Sequence, residues 1–83
     1  MIKDIALMKN LLVVLRTIGA AGLPEHSLMV EVEVAAGRPL TTQQARGVIL
    51  DGVDFGWVAS RRDEFERTIY WITEAGKNKL AGM

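Results

Sequence analysis

The residues best suited to recognising another molecule lie in one short stretch, Thr41-Thr42-Gln43-Gln44-Ala45-Arg46-Gly47. A threonine hydroxyl both donates and accepts, glutamine offers an acceptor beside a donor, and arginine presents a planar fork of donors. On the first turns of a helix, Thr41 or Thr42 and the helix amides can hold a phosphate. Gln43 and Gln44 can pair bidentately with adenine, and Arg46 with guanine. Gly47 lies among them. An exposed helical glycine costs about 1 kcal/mol relative to alanine, and close approach to another backbone would account for it. A second set, Arg61, Arg62 and Arg67, brackets Asp63, Glu64 and Glu66. Cross-strand ion pairs there would contribute only ~0–1 kcal/mol each, leaving Arg61 and Arg62 to rest on a phosphate backbone.

Most other chemistry is excluded. Cysteine is absent and His26 is the only histidine, which removes disulfides, thiolate nucleophiles and histidine metal clusters. His26 falls at a helix start and reads as a surface residue. No glycine-rich phosphate loop, Ser-His pairing or convergent carboxylate pair is present. Asp51 and Asp54 share a helix face without ligand partners. The chain is therefore expected to be no enzyme, with no cofactor, metal or small-molecule substrate. The formal net charge is zero, which weighs against a nucleic-acid partner because phosphates dominate such affinity. The charges are segregated, however. Glu25, Glu31 and Glu33 fall on one element, whereas Arg38, Arg46, Arg61 and Arg62 fall on others, so a locally positive face can exist on a neutral chain. Asp51 and Asp54 would have to point away from a duplex.

The elements that must position these residues follow from periodicity. Eighty-three residues, 49% hydrophobic and 24% charged, suit one globular domain spanning 1–83. Ile5, Met8, Leu11, Leu12, Leu15 and Ile18 form one helical face, with Asp4 as cap, and predict a helix from Asp4 to Ala21 that Gly22 and Pro24 stop. The next segment is ambiguous. Val30-Glu31-Val32-Glu33-Val34 alternates like a strand, but Leu28, Met29, Val32, Ala35 and Ala36 make a helical stripe, and Pro24 and Gly37 suit its two ends. Helix is the preferred reading. After the turn Gly37-Arg38-Pro39-Leu40, Thr41 or Thr42 caps a third helix, Thr41 and Gln44 have capping-box spacing, and Ala45, Val48, Ile49, Gly52 and Val53 form its buried face. Trp57 to Arg61 and Thr68 to Ile72 read as a hairpin, and Thr73 opens a last short helix. Ile69 and Trp71 would face one side of that hairpin, Tyr70 and Ile72 the other. One small core should not bury both, so a homodimer through the hairpin aromatics or the first helix is expected. Lys9 and Asn10 interrupt the apolar N-terminal stretch, so no signal peptide is expected. No run is long enough for a membrane span, and a cytoplasmic location is expected.

Helix, helix, helix, hairpin, helix is the order of a winged helix-turn-helix. Gly56-Trp57-Val58, the charged joint and Tyr70-Trp71-Ile72-Thr73-Glu74-Ala75-Gly76 resemble the wing and closing helix of winged-helix proteins. MarR-like and PadR-like regulators end their wings on a similar aromatic-hydrophobic-Thr-Glu-x-Gly sequence. The layout is closest to that of small winged-helix proteins of Mu-like phages and prophages. The resemblance implies a mainly α fold with a small β-hairpin: three helices, a two-stranded wing and a short C-terminal helix. It implies double-stranded DNA as partner, a non-catalytic role in transcription regulation, and phage or prophage origin, with the third helix in the major groove. Thr42, Gln43, Gln44, Arg46, Gly47, Arg61 and Arg62 are then the DNA-binding residues. The alternative is a winged-helix protein-protein interaction module without DNA binding, which the neutral charge and acidic hairpin tip favour.

Overall fold

The structure, a computed structural model, describes residues 4–83. Its elements are α1 (Ile5–Ile18), β1 (Leu23–Pro24), α2 (Glu25–Ala36), α3 (Thr42–Asp54), β2 (Val58–Arg62), β3 (Thr68–Ile72) and α4 (Glu74–Ala81), with a 3-10 turn over Gly19–Ala21 after α1. Asp4 caps α1, its Oδ1 accepting from Leu7 N–H at 2.9 Å. Met8, Leu11, Leu12 and Leu15 are fully buried, as the stripe requires, and Leu7 joins them. Ile5 and Ile18 overhang the core at 63% and 39% exposure. The helix ends at Ile18 rather than Ala21, because the chain tightens into the 3-10 turn before Gly22.

The second segment is a helix. Leu28 and Val32, four apart, are fully buried, whereas Val30 and Val34 stand on the opposite side at 47% and 70% exposure. A strand would have put all four on one face. Gly37 ends α2 in the left-handed region, and its N–H donates to the carbonyls of Glu33 and Val34.

The expectation of a two-stranded hairpin is corrected. The sheet has three antiparallel strands in the order β1-β3-β2, and β1 pairs Leu23 with Tyr70 and Pro24 with Ile69. Pro24 is tolerated because it lies on an edge strand, where a missing N–H breaks no inner ladder. Gly22 makes the approach possible. Its φ is +69°, and a Cβ there would collide with the Tyr70 carbonyl and meet Ile69 Cγ2 at 2.9 Å. The burial expectation changes with it. Ile69, Tyr70 and Ile72 are all buried within one chain, because β1 and the turn before it cover the Ile69 side. Trp71 alone of this strand's large groups stays half-buried.

α1 packs against α2, α3, α4 and β3 and is the centre of the core. Met8, Leu11, Leu12, Leu15, Leu28, Val32 and Ile49 are the largest fully buried side chains, each stabilising the fold by roughly 1.5–3 kcal/mol through burial. Two exposed contacts tie down the turn that leads into α3. Glu33 Oε2 accepts from Leu40 N–H at 2.9 Å, and Arg38 Nη2 reaches Asp4 Oδ2 at 3.2 Å. At the far end Trp57 N–H donates to the Gly52 carbonyl at 3.0 Å, joining α3 to β2. Thr73 locks the base of the hairpin: its hydroxyl donates to the Gly56 carbonyl at 2.6 Å and accepts from Gly76 N–H at 3.0 Å.

Candidate nucleic-acid interface

The start of α3 is built by its own sequence. Thr41, not Thr42, is the cap: its hydroxyl accepts from Gln44 N–H at 3.0 Å, while Gln44 Oε1 accepts from Thr41 N–H at 2.9 Å. The predicted capping box is therefore closed in both directions. It commits the Gln44 carbonyl oxygen, so a bidentate contact from Gln44 would require the box to open. Thr42 and Gln43 are exposed, and their amides are the orphan donors of the helix start.

The outward face of α3 follows from its buried one. Ala45, Val48, Ile49 and Gly52 are buried, so at 100° per residue the opposite centre falls on Gln43, Gly47, Leu50 and Asp54. Nothing lies within 4 Å of where a Gly47 Cβ would stand. No packing inside the molecule requires glycine there, and its effect is to leave the middle of this face low. Leu50 is 49% exposed and was missed by sequence reasoning; its omission from the buried stripe was the available signal. Arg46 and Asp51 flank the face on opposite sides. Asp51 borders a shallow groove of about 440 Å³ between α1 and α3, with Leu7, Met8, Gln43 and Gly47. The expectation that Asp54 points away from a duplex is corrected: it falls on the outward face, eleven residues beyond Gln43, about 16 Å along the axis. That exceeds the screening length of roughly 8–10 Å in physiological salt, so it weighs little on an anion at the helix start.

Arg46 is held. Its Nε donates to Glu25 Oε1 at 2.9 Å, with the arginine side chain 53% and the glutamate 33% exposed. Glu25 opens α2. Burial pushes the Tyr70 hydroxyl above its usual value, the Glu25 carboxylate adds to that, and Arg46 opposes it.

The hairpin separates its two arginines. Val58, Ser60 and Arg62 alternate onto the face that carries buried Tyr70 and Ile72, towards the helices. Arg61 lies on the other face with Ile69 and Trp71, its guanidinium 5.9 Å from the Trp71 ring centre. Among the described residues neither Arg61 nor Arg62 has a carboxylate partner. The register Arg61–Ile69–Pro24 runs straight across the sheet. Arg61 therefore stands two strand spacings, roughly 10 Å, from the residue before Glu25. Arg67 is paired at the tip through its Nε. Asp63 Oδ1 accepts from the N–H groups of Phe65 at 2.9 Å and Arg67 at 2.8 Å, and Oδ2 accepts from Arg67 Nε at 2.8 Å. Desolvation works to raise the Asp63 carboxyl, but these hydrogen bonds and the guanidinium outweigh it and hold it below the usual carboxylate value. Phe65 stands 71% exposed beneath the Arg67 guanidinium.

No family model matches the sequence, and no curated protein matches it. Solved structures do match in shape. RosR of H. salinarum, from crystals grown from NaBr, superposes with a TM-score of 0.79 over 96% of this chain and 70% of that one, at 20% identity. RosR in its complex hsRosR-S4 gives the same TM-score and identity over 96% and 67%. SSV1 F-93 gives 0.75 over 98% of this chain and 84% of that one, at 20% identity. The fold is a winged helix. In this winged helix the wing is the β2–β3 hairpin and β1 completes its sheet. α3 is the second helix of the helix-turn-helix, which presents Gln43, Gly47 and Leu50 outward. Arg46 and Arg62 lie on the same side of the sheet, and Arg61 lies on the other. No helix among the described residues is long and apolar enough to cross a membrane.

Proposed function

We propose that the chain is a non-catalytic DNA-binding regulator that places α3 in the major groove. The observation that carries this reading is the outward face of α3. Its helix start is uncharged and exposed, its middle is lowered by Gly47, and Arg46 flanks it on one side and Asp51 on the other. Gln43 and Arg46 read base edges, and Leu50 offers an apolar contact to a thymine methyl. Gln44 keeps the helix start closed. Thr42 and the first amides hold a phosphate, and Arg62 and Arg61 steady the backbone from the two faces of the wing. The similarity to RosR and F-93 in fold supports the same reading, as does the likeness of Gly56–Gly76 to the wings of MarR-like and PadR-like regulators. Phage or prophage origin, a cytoplasmic setting and pairing into a homodimer extend it.

The test is a salt titration of affinity for random duplex DNA by fluorescence anisotropy. Binding should weaken linearly on a log–log scale, with a slope of about −0.9 per phosphate contact. Absence of binding at ~50 mM salt, where phosphate contacts are strongest, would refute it. One observation favours a second reading. The wing tip offers exposed Phe65 between Glu64 and Glu66 on a chain of zero net charge. A protein-interaction module would bind through that tip and show no salt-dependent DNA affinity.

A further inference from the structure

We infer that Glu25 is a positioning residue for sequence reading. It grips Arg46 by Nε, so that the two terminal nitrogens of the guanidinium are presented together, in one plane, to a guanine edge. This rests on the DNA-binding reading above and gives its central arginine a defined geometry.

The contact is long-range. Glu25 and Arg46 are 21 residues apart and belong to different helices, yet Nε and Oε1 meet at 2.9 Å. The approach is from the side of the guanidinium. No described residue hydrogen-bonds either terminal nitrogen, and those two nitrogens are the donors that match O6 and N7 of guanine. Glu25 itself is well anchored. Pro24 before it has a φ of −61° and is fixed by its pairing with Ile69. As the first residue of α2, Glu25 also has its backbone fixed by the helix. An arginine without such a partner can turn to the nearest phosphate, a contact that carries no sequence information. A carboxylate beside a duplex also repels the backbone. Glu25 should therefore act in opposite directions on the two kinds of binding: it weakens attachment to any DNA and sharpens the choice among sequences.

That opposition is the signature to measure. A duplex selected by the wild-type chain from a randomised pool, its variants at each G·C pair, and a random duplex would be titrated with wild type, E25Q, E25D, R46A and E25Q/R46A. E25Q is expected to bind random duplex a few-fold more tightly, with the salt slope steeper by roughly 0.9, one added phosphate contact. Discrimination at one G·C pair should fall about tenfold. E25D keeps the charge but withdraws the carboxylate by one methylene, so it should lose discrimination without gaining affinity for random duplex. In the R46A background, E25Q should change discrimination at that pair no further. Wild-type discrimination in E25Q, or an equal loss with and without Arg46, would overturn the inference. A wild-type chain that binds duplex DNA but selects no sequence would overturn it while leaving DNA binding in place. A chain that binds no duplex at ~50 mM salt would remove both.

Discussion

The start of α3 and the tip of the wing each set an arginine against a carboxylate, and they use the pair differently. At the tip, Asp63 is four residues from Arg67, and both its oxygens are filled by donors from the same turn. The charges there shape the turn and cancel. At α3, Glu25 likewise takes only Nε of its arginine, but it does so through one carboxylate oxygen, and the partners come from two helices. Charge that is satisfied locally fixes a conformation. A carboxylate anchored on another helix instead sets the direction of its arginine relative to that helix. The neutral total of this chain hides that difference, because net charge counts both arginines alike.

The comparison can be broken or sharpened by substitution. The largest effect is expected at the shared base of the two regions. A Cβ at Gly76 would run into the Trp57 carbonyl and meet Ile72 Cγ1 at 2.8 Å. Gly76→Ala should destabilise the chain by ~1–3 kcal/mol through overpacking, despite alanine's better helix propensity, as read from the urea midpoint. A neutral or stabilising result would mean that α4 does not close on the root of the wing as described. Next come the two arginines on the inner side. Arg46→Ala should cost ~1–3 kcal/mol at a single base pair, whereas Arg62→Ala should weaken all duplexes evenly and reduce the salt slope by about 1. If both variants weaken every sequence alike, α3 does not read bases. The smallest effect is expected at the tip. Asp63→Ala should loosen the Phe65 and Arg67 amides, seen as faster hydrogen exchange, and leave duplex affinity unchanged. The pH dependence has a definite sign. The folded Asp63 carboxyl is depressed below its ordinary value of 3.8, so its contribution is complete above that pH and is lost only as pH falls through the lower folded value. Amide shifts of the tip should therefore titrate below pH 3.8, and a midpoint above it would deny the clasp.

Local rules made much of this legible in the sequence, and long-range pairing accounts for the rest. The α1 stripe, the Thr41–Gln44 box and the Thr73 cap are short-range patterns, and each appears where its spacing places it. β1 was invisible because two residues make no period, and Gly22 and Pro24 read equally well as breaks. Only the pairing with Tyr70 and Ile69 turns them into an edge strand. The same pairing explains why Ile69 needs no second subunit to be buried. In the site, the outward placement of Gln43 and Gly47 follows from helix geometry. The hold of Glu25 on Arg46 depends on how α2 crosses α3, and the separation of Arg61 from Arg62 depends on which face of the sheet meets the helices. Neither is written in spacing along the chain.

The most direct test of the contrast between helix and wing tip is to map amide shifts of the labelled chain on titration with a short duplex at low salt. If α3 enters the groove, the largest changes should fall on Thr42, Gln43, Gly47 and Leu50, with smaller ones at Arg61 and Arg62 and little at Phe65. Changes confined to the tip around Phe65, or none anywhere, would contradict the assignment of α3 as the reading element.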